Sequence, residues 1–137
     1  MQPITVETTI NAPVEKVWKM WSEPEHIVQW TFASDDWEAP AAENDLRVDG
    51  RFKTVMAAKD GSVKFDFEGT YTQVDSHKLI SYSMDDGRKV EISFESLDGD
   101  KTHVKETFDP EGENPSEMQR AGWQAILDNF KKYVELP

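Results

Sequence analysis

An antiparallel α+β domain is the fold class that this sequence predicts. The middle of the chain is a run of short alternating segments parted by Asp-Gly turns. The chain ends in one long amphipathic stretch, and two short helical segments lie between the first strand and the run. Strands joined by hairpins form antiparallel sheets, and helices placed before and after such a run pack on one face of the sheet. The 137 residues suit one domain, 1–137, large enough to bury a core.

The elements follow in order. "ITVETTI" reads as a strand with Ile4, Val6, Thr8 and Ile10 on one face. In "NAPVEKVWKMW", Asn11 is placed to cap a helix, Pro13 suits its first turn, and Val14, Val17, Trp18 and Trp21 share a face. Ser22 is placed to cap a second short helix, "SEPEHIVQW", with Ile27 and Trp30 as its apolar positions. "TFASDDWEAPAAENDLRV" reads as a long irregular connection carrying Pro40, a place where functional lids occur. About five hairpin-linked strands come next. "GRFKTVMAAK" turns at Asp60–Gly61 into "SVKFDFEGTYTQV", which puts Val63, Phe65, Phe67 and Tyr71 on one face. Gly69 interrupts that face, as at a bulge or sharp bend. "KLISYSM", "RKVEISFESL" and "KTHVKETFD" complete the run. Asn114 or Ser116 is placed to cap the last helix, whose apolar face holds Gly122, Trp123, Ile126, Leu127, Phe130, Tyr133 and Val134. A twisted sheet of about six strands that wraps one long helix must curve, and the space between the two suits a mostly apolar pocket.

Composition narrows the function. The net charge is −12, which repels phosphate backbones and anionic lipid heads, so neither nucleic acid nor a membrane surface is an expected partner. There is no cysteine, which removes disulfides, thiol catalysis and cysteine-ligated metal. The N-terminus has no basic region followed by an apolar run, and no stretch is as long as a membrane span. A cytoplasmic monomer is expected. His26, His77 and His103 are far apart, form no HxH or HxxxH pair, and read as solvated surface residues, so no metal site is expected. No nucleophile elbow, Walker loop, dinucleotide fingerprint or HExxH is present, and no cofactor is implied.

Four stretches, "APVEKVWKMWSEPEHIVQW", "DLRVDGRF", "DGSVKFDFEGTY" and "GWQAILDNFKKY", resemble the START-like (SRPBCC) superfamily and, within it, the homologues of the activator of heat-shock protein 90 ATPase. The resemblance implies a helix-grip fold with a cavity between the long helix and the concave sheet. Asp49 stands where the related pattern usually has a first glycine before Gly50, with only a local effect expected on the strand start. The family name also implies chaperone binding. That role belongs to larger members with an additional chaperone-binding domain, for which this chain has no room.

The inward phase of the strands and helix gives a candidate lining: Phe52, Met56, Phe65, Phe67, Tyr82, Met84, Phe94, Glu106, Met118, Gly122, Trp123 and Ile126. Trp30, Phe32 and Trp37 are candidates for a lid or mouth, or simply complete the core under the long loop. Strict alternation points Glu106 inward, between Val104 and Phe108. A buried carboxylate must be paired, hydrogen-bonded or neutralised. Glu106 is therefore either a polar anchor or acid/base group of the cavity, or a structural partner for Arg47 or Arg51, or a residue near a strand end that reaches water. Gly122 sits where a missing side chain lets a strand approach or leaves space for a guest. The leading expectation is a non-catalytic protein that binds a small apolar molecule, with no catalytic residue assigned. The alternatives are a cyclase or hydratase that uses Glu106 and a tyrosine, and an interaction module, such as a stress-related chaperone co-factor.

Overall fold

Seven strands of the computed structural model, which describes residues 2–137, form one antiparallel sheet in the order β1-β7-β6-β5-β4-β3-β2. The strands are β1 Ile4–Ile10, β2 Trp37–Asn44, β3 Arg51–Ala58, β4 Lys64–Asp75, β5 Leu79–Met84, β6 Lys89–Leu97 and β7 Lys101–Phe108. From β2 to β7 every step is a hairpin, and β1 closes the far edge against β7. Helices α1 (Val14–Ser22) and α2 (Pro24–Ile27) carry the chain from one edge strand to the other. The long helix α3 spans Ser116–Val134. The sheet is a curved half-barrel around it.

The sheet has one strand more than the alternation in the sequence suggests. The stretch read as an irregular connection contains β2, which pairs with β3 and breaks register between Glu38 and Ala41, around Pro40. Proline donates no ladder hydrogen bond and is tolerated at an edge or bulge. The alanine- and glutamate-rich sequence of β2 also lacks the β-branched pattern that marks the other strands.

Helix starts differ from the sequence reading as well. Pro13, not Asn11, is the N-cap of α1, and the Asn11 N–H donates instead to Glu135 Oε2 at 2.8 Å. Ser22 ends α1 rather than capping α2, whose N-cap is Glu23. Trp30 lies in the turn beyond α2. At α3 the N-cap is Pro115, and no side chain caps the helix. Asp49 adopts φ +69°, which suits the glycine of the related pattern and which aspartate tolerates better than most residues. Gly69 is not the site of the bulge; the register shift falls between Tyr71 and Gln73. A Cβ at Gly69 would lie 2.6 Å from the Ser83 carbonyl oxygen and 3.0 Å from the Phe52 ring, so the glycine is there for close approach.

Helix α3 seals one sheet edge by hydrogen bonding. Arg120 Nη1, Gln124 Nε2 and Lys131 Nζ donate to the carbonyls of Thr5, Glu7 and Thr9 at 3.0, 3.2 and 2.7 Å. These are the alternate carbonyls of β1 that point away from β7. Side chains from α3 thus take the place of another strand at an edge that would otherwise offer a pairing template. The two halves of α3 then pack differently. Leu127, Phe130 and Val134 in the C-terminal half are fully buried. The Phe130 ring lies 5.0 Å from that of Trp21 and 4.6 Å from that of Trp30, and these three rings fill that end of the groove. The N-terminal half has no such filling.

Candidate functional site

Under the N-terminal half of α3 the concave sheet encloses a cavity of about 420 Å³. Its floor comes from the inward positions of three strands. Phe52, Thr54 and Met56 stand on β3, Phe65, Phe67 and Tyr71 on β4, and Ile80, Tyr82 and Met84 on β5. The rings of Phe52, Phe67, Tyr71 and Tyr82 form a connected aromatic patch, with the Phe52 and Tyr82 centroids 4.7 Å apart and edge-on. Helix α3 contributes Met118, Gln119, Gly122, Trp123 and Ile126 as the roof. Trp123 lies flat on Phe108, centroids 4.0 Å apart and planes 9° from parallel, which fixes one wall. Trp21, Ile27, Trp30, Thr31 and Ala33 close the end nearest α2. Phe65 is 46% exposed and Met118 61% exposed, so the opening lies between the β3–β4 hairpin and the start of α3.

Gly122 borders this space. A Cβ built on it meets nothing within 4 Å. The glycine therefore serves no close approach of helix to strand; a larger side chain there would project into the open volume.

One side of the cavity is polar. Glu106 on β7 is 5% exposed and lies between Val6 of β1 and Ile92 of β6. Among the described residues no donor or cation engages its carboxyl group, and burial alone pushes its pKa up to about 8. Arg47 and Arg51, the structural partners expected from the sequence, are occupied elsewhere: Arg51 bonds Glu68 and Asp85, and Arg47 bonds Asp45, all on the outside. Tyr82 is equally buried. Its phenol is held well above the ordinary range, mainly by burial, with Glu106 and Tyr71 adding to the shift and Arg88 opposing it. Tyr71 differs, since its hydroxyl donates to Asn44 Oδ1, and Asn44 in turn donates to the Ser22 carbonyl. Arg88 reaches the rim with its Nε 2.8 Å from Asp86. Gln119 is buried but satisfied. Its amide donates to the carbonyls of Glu111 and Asn114 and accepts from the Glu111 N–H, which ties the β7–α3 loop to the helix.

All of the candidate residues named from the sequence border this cavity except Phe32, Trp37 and Phe94. Phe94 does point inward from β6, but at the α1 end, where its ring is packed edge-on by Trp18 and Trp21. Trp37 stands on β2 with its ring 6.1 Å from Phe65. Phe32 faces a separate polar depression with Ser34, Asp128 and Lys132. Several lining residues lie outside that candidate set. Thr54 is in phase with Phe52 and Met56, a placement that alternation makes legible. Arg88, Asn114 and Gln119 come from turns and a helix edge and carry no periodic signal.

The histidines are only partly as expected. His103 bonds Glu7 on the outer face. His77 lies on a turn, its ring 5.5 Å from that of Trp18. His26 is half-buried with Nδ1 2.6 Å from the Tyr133 hydroxyl. Glu23 and Glu25 lie beside it and could join it around a cation, but exposed acidic groups are common without one.

A curved antiparallel sheet gripping a long C-terminal helix, with a cavity between them, defines the helix-grip fold of START-like proteins. Within that class, this chain belongs to the family described as "Activator of Hsp90 ATPase homolog 1-like protein", whose family model matches residues 11–135. It is 47% identical to the AHSA1-like protein from Aeromonas hydrophila over 96% of this chain and 92% of that one, with a TM-score of 0.87. It is 56% identical to Chr148 from Cytophaga hutchinsonii over 97% and 92% of the two chains, with a TM-score of 0.83. CV1439 from Chromobacterium violaceum, 22% identical with full coverage of both chains and a TM-score of 0.87, shares the fold. No match is found among proteins of curated function. No helix among the described residues is long and apolar enough to cross a membrane.

Proposed function

We propose that this protein is a non-catalytic binding protein of the cytoplasm that takes one small, mostly apolar molecule between α3 and the sheet. The observation that carries the reading is the unfilled space beside Gly122. The aromatic side chains of β3, β4 and β5 are directed at it, and α3 covers it with its one glycine. Exposing apolar walls to trapped water is unfavourable, and an apolar guest relieves that cost. A volume of about 420 Å³ suits a molecule of a few fused or linked rings, or a medium acyl chain.

A titration of isotope-labelled protein with lipids, flavonoids and sterols tests this reading. Amide shifts should move at Gly122, Trp123, Phe67 and Tyr82. If none of the compounds shifts these positions, the reading is wrong.

A second reading is favoured by one specific feature. Glu106 and Tyr82 are buried ionisable groups with no structural partner among the described residues, which is the arrangement of a general acid or base. A cyclase or hydratase would use them on a bound carbonyl compound. Turnover of such compounds by wild type, abolished in Glu106→Gln, would favour catalysis over simple binding. The family name raises chaperone activation as a third role. It predicts stimulation of a chaperone ATPase by the purified protein, and a flat response removes it.

A further inference from the structure

The polar side of the cavity specifies more than an apolar guest. Glu106 and Tyr82 stand on β7 and β5, with Ile92 and Val90 of β6 between them, and both point to the concave side. Both border the same cavity from strands separated by β6 alone. Neither has a hydrogen-bond partner among the described residues, whereas the neighbouring Tyr71 hydroxyl is taken by Asn44. A carboxyl group buried without a cation or donor is held in its neutral form, where it carries an O–H. The cavity thus presents the O–H groups of Glu106 and Tyr82, with the Thr54 hydroxyl of β3 also on its wall. We infer that it recognises a neutral oxygen acceptor, the carbonyl of a ketone, aldehyde or enone on an apolar frame, through the O–H groups of Tyr82 and Glu106.

The inference rests on the binding reading above and narrows it. A hydrocarbon guest would leave both hydroxyl groups buried and unpaired, and a site built to hydrogen-bond its ligand discriminates strongly against one that lacks the group. A carboxylate guest would bring a charge into a space whose one bordering cation, Arg88, is already bound to Asp86. A tyrosine beside a neutral buried carboxylic acid is also a known means of holding a carbonyl oxygen.

Three probes on one ring frame separate the outcomes: fluorenone, fluorene and fluorene-9-carboxylate. Wild-type protein should bind fluorenone at least about tenfold more tightly than fluorene, the equivalent of one buried hydrogen bond. The infrared carbonyl stretch of bound fluorenone should lie below its value in hexane. Tyr82→Phe should shrink the preference and shift the stretch back. Glu106→Gln keeps a donor and should retain the preference. The charged or titratable groups on the cavity are Tyr71, Tyr82, Arg88 and Glu106, and of these Glu106 changes charge nearest neutrality. Fluorenone affinity should therefore fall above about pH 8 in wild type and stay flat in Glu106→Gln. Equal binding of fluorenone and fluorene, with a carbonyl stretch as in hexane, overturns the inference and leaves the binding reading standing. Tightest binding of the carboxylate also overturns it. Binding of none of the three, with no compound bound in the wider titration, removes both.

Discussion

At the scale of single residues, Glu106 and Gly122 are the two choices that a well-packed domain of this fold would not make. Glu106 costs stability in a way that depends on pH. Its folded pKa, about 8, lies above the ordinary carboxylate value, so between roughly pH 4.5 and 8 the native state binds more protons than the unfolded chain. Stability from this group is thus present below the unfolded pKa and lost as pH rises through the folded one. Glu106→Gln removes the titration. Its denaturation midpoint relative to wild type should rise from pH 4 to pH 9 by the equivalent of a few kcal/mol. Parallel pH profiles for the two proteins would mean that Glu106 is solvated or paired. Gly122 gives a cleaner test. Since a Cβ there meets nothing, Gly122→Ala should stabilise the protein by about 1 kcal/mol through helix propensity alone. Destabilisation on urea melting would show that the helix does contact the sheet at that point. Alternation made Glu106 legible in the sequence, because its inward phase is a matter of counting by two. The same counting could not say whether a partner waited for it, since the nearest arginines are placed by turns and side-chain reach.

At the scale of elements, the strands from β3 to β7 could be read almost residue by residue, because one buried face imposes a period of two. The misreadings cluster where another constraint governs. Strand β2 is held by its neighbour and by the edge position that tolerates Pro40, not by its own propensity. Helix starts are not legible from cap propensity, because Asn11, Ser22, Asn114 and Ser116 are all good caps in isolation, while proline or glutamate occupies the actual cap positions. Ser22 shows the consequence: it ends α1, and its hydroxyl is fully buried away from the cavity with no hydrogen-bond partner among the described residues. A capping serine loses about 1 kcal/mol on change to alanine, whereas an unpaired buried hydroxyl costs stability while present. Ser22→Ala should therefore leave the thermal midpoint unchanged or raise it. A fall equivalent to about 1 kcal/mol would restore the capping role.

At the scale of the whole molecule, α3 does two things with one surface. Its polar edge binds the β1 carbonyls and its C-terminal half seals the core, which leaves the N-terminal half suspended over an unfilled space. The domain has the side chains to fill that space, but places them elsewhere. Phe94 is packed by Trp18 and Trp21, and Trp37 of β2 lies against Phe65 of β4. Fold and family follow from the pattern of the chain. The cavity depends on which of many inward aromatic residues meet each other, and that is a matter of packing in three dimensions rather than of period. The methionine methyl groups offer the most direct test of the central claim, that a guest occupies the space under α3. Met56, Met84 and Met118 line that space from β3, β5 and the helix, while Met20 on α1 does not border it. In protein labelled at the methionine methyls and saturated with fluorenone, intermolecular NOEs should reach Met56, Met84 and Met118 and spare Met20. NOEs confined to the exposed Met118, or found at Met20 instead, would contradict the account.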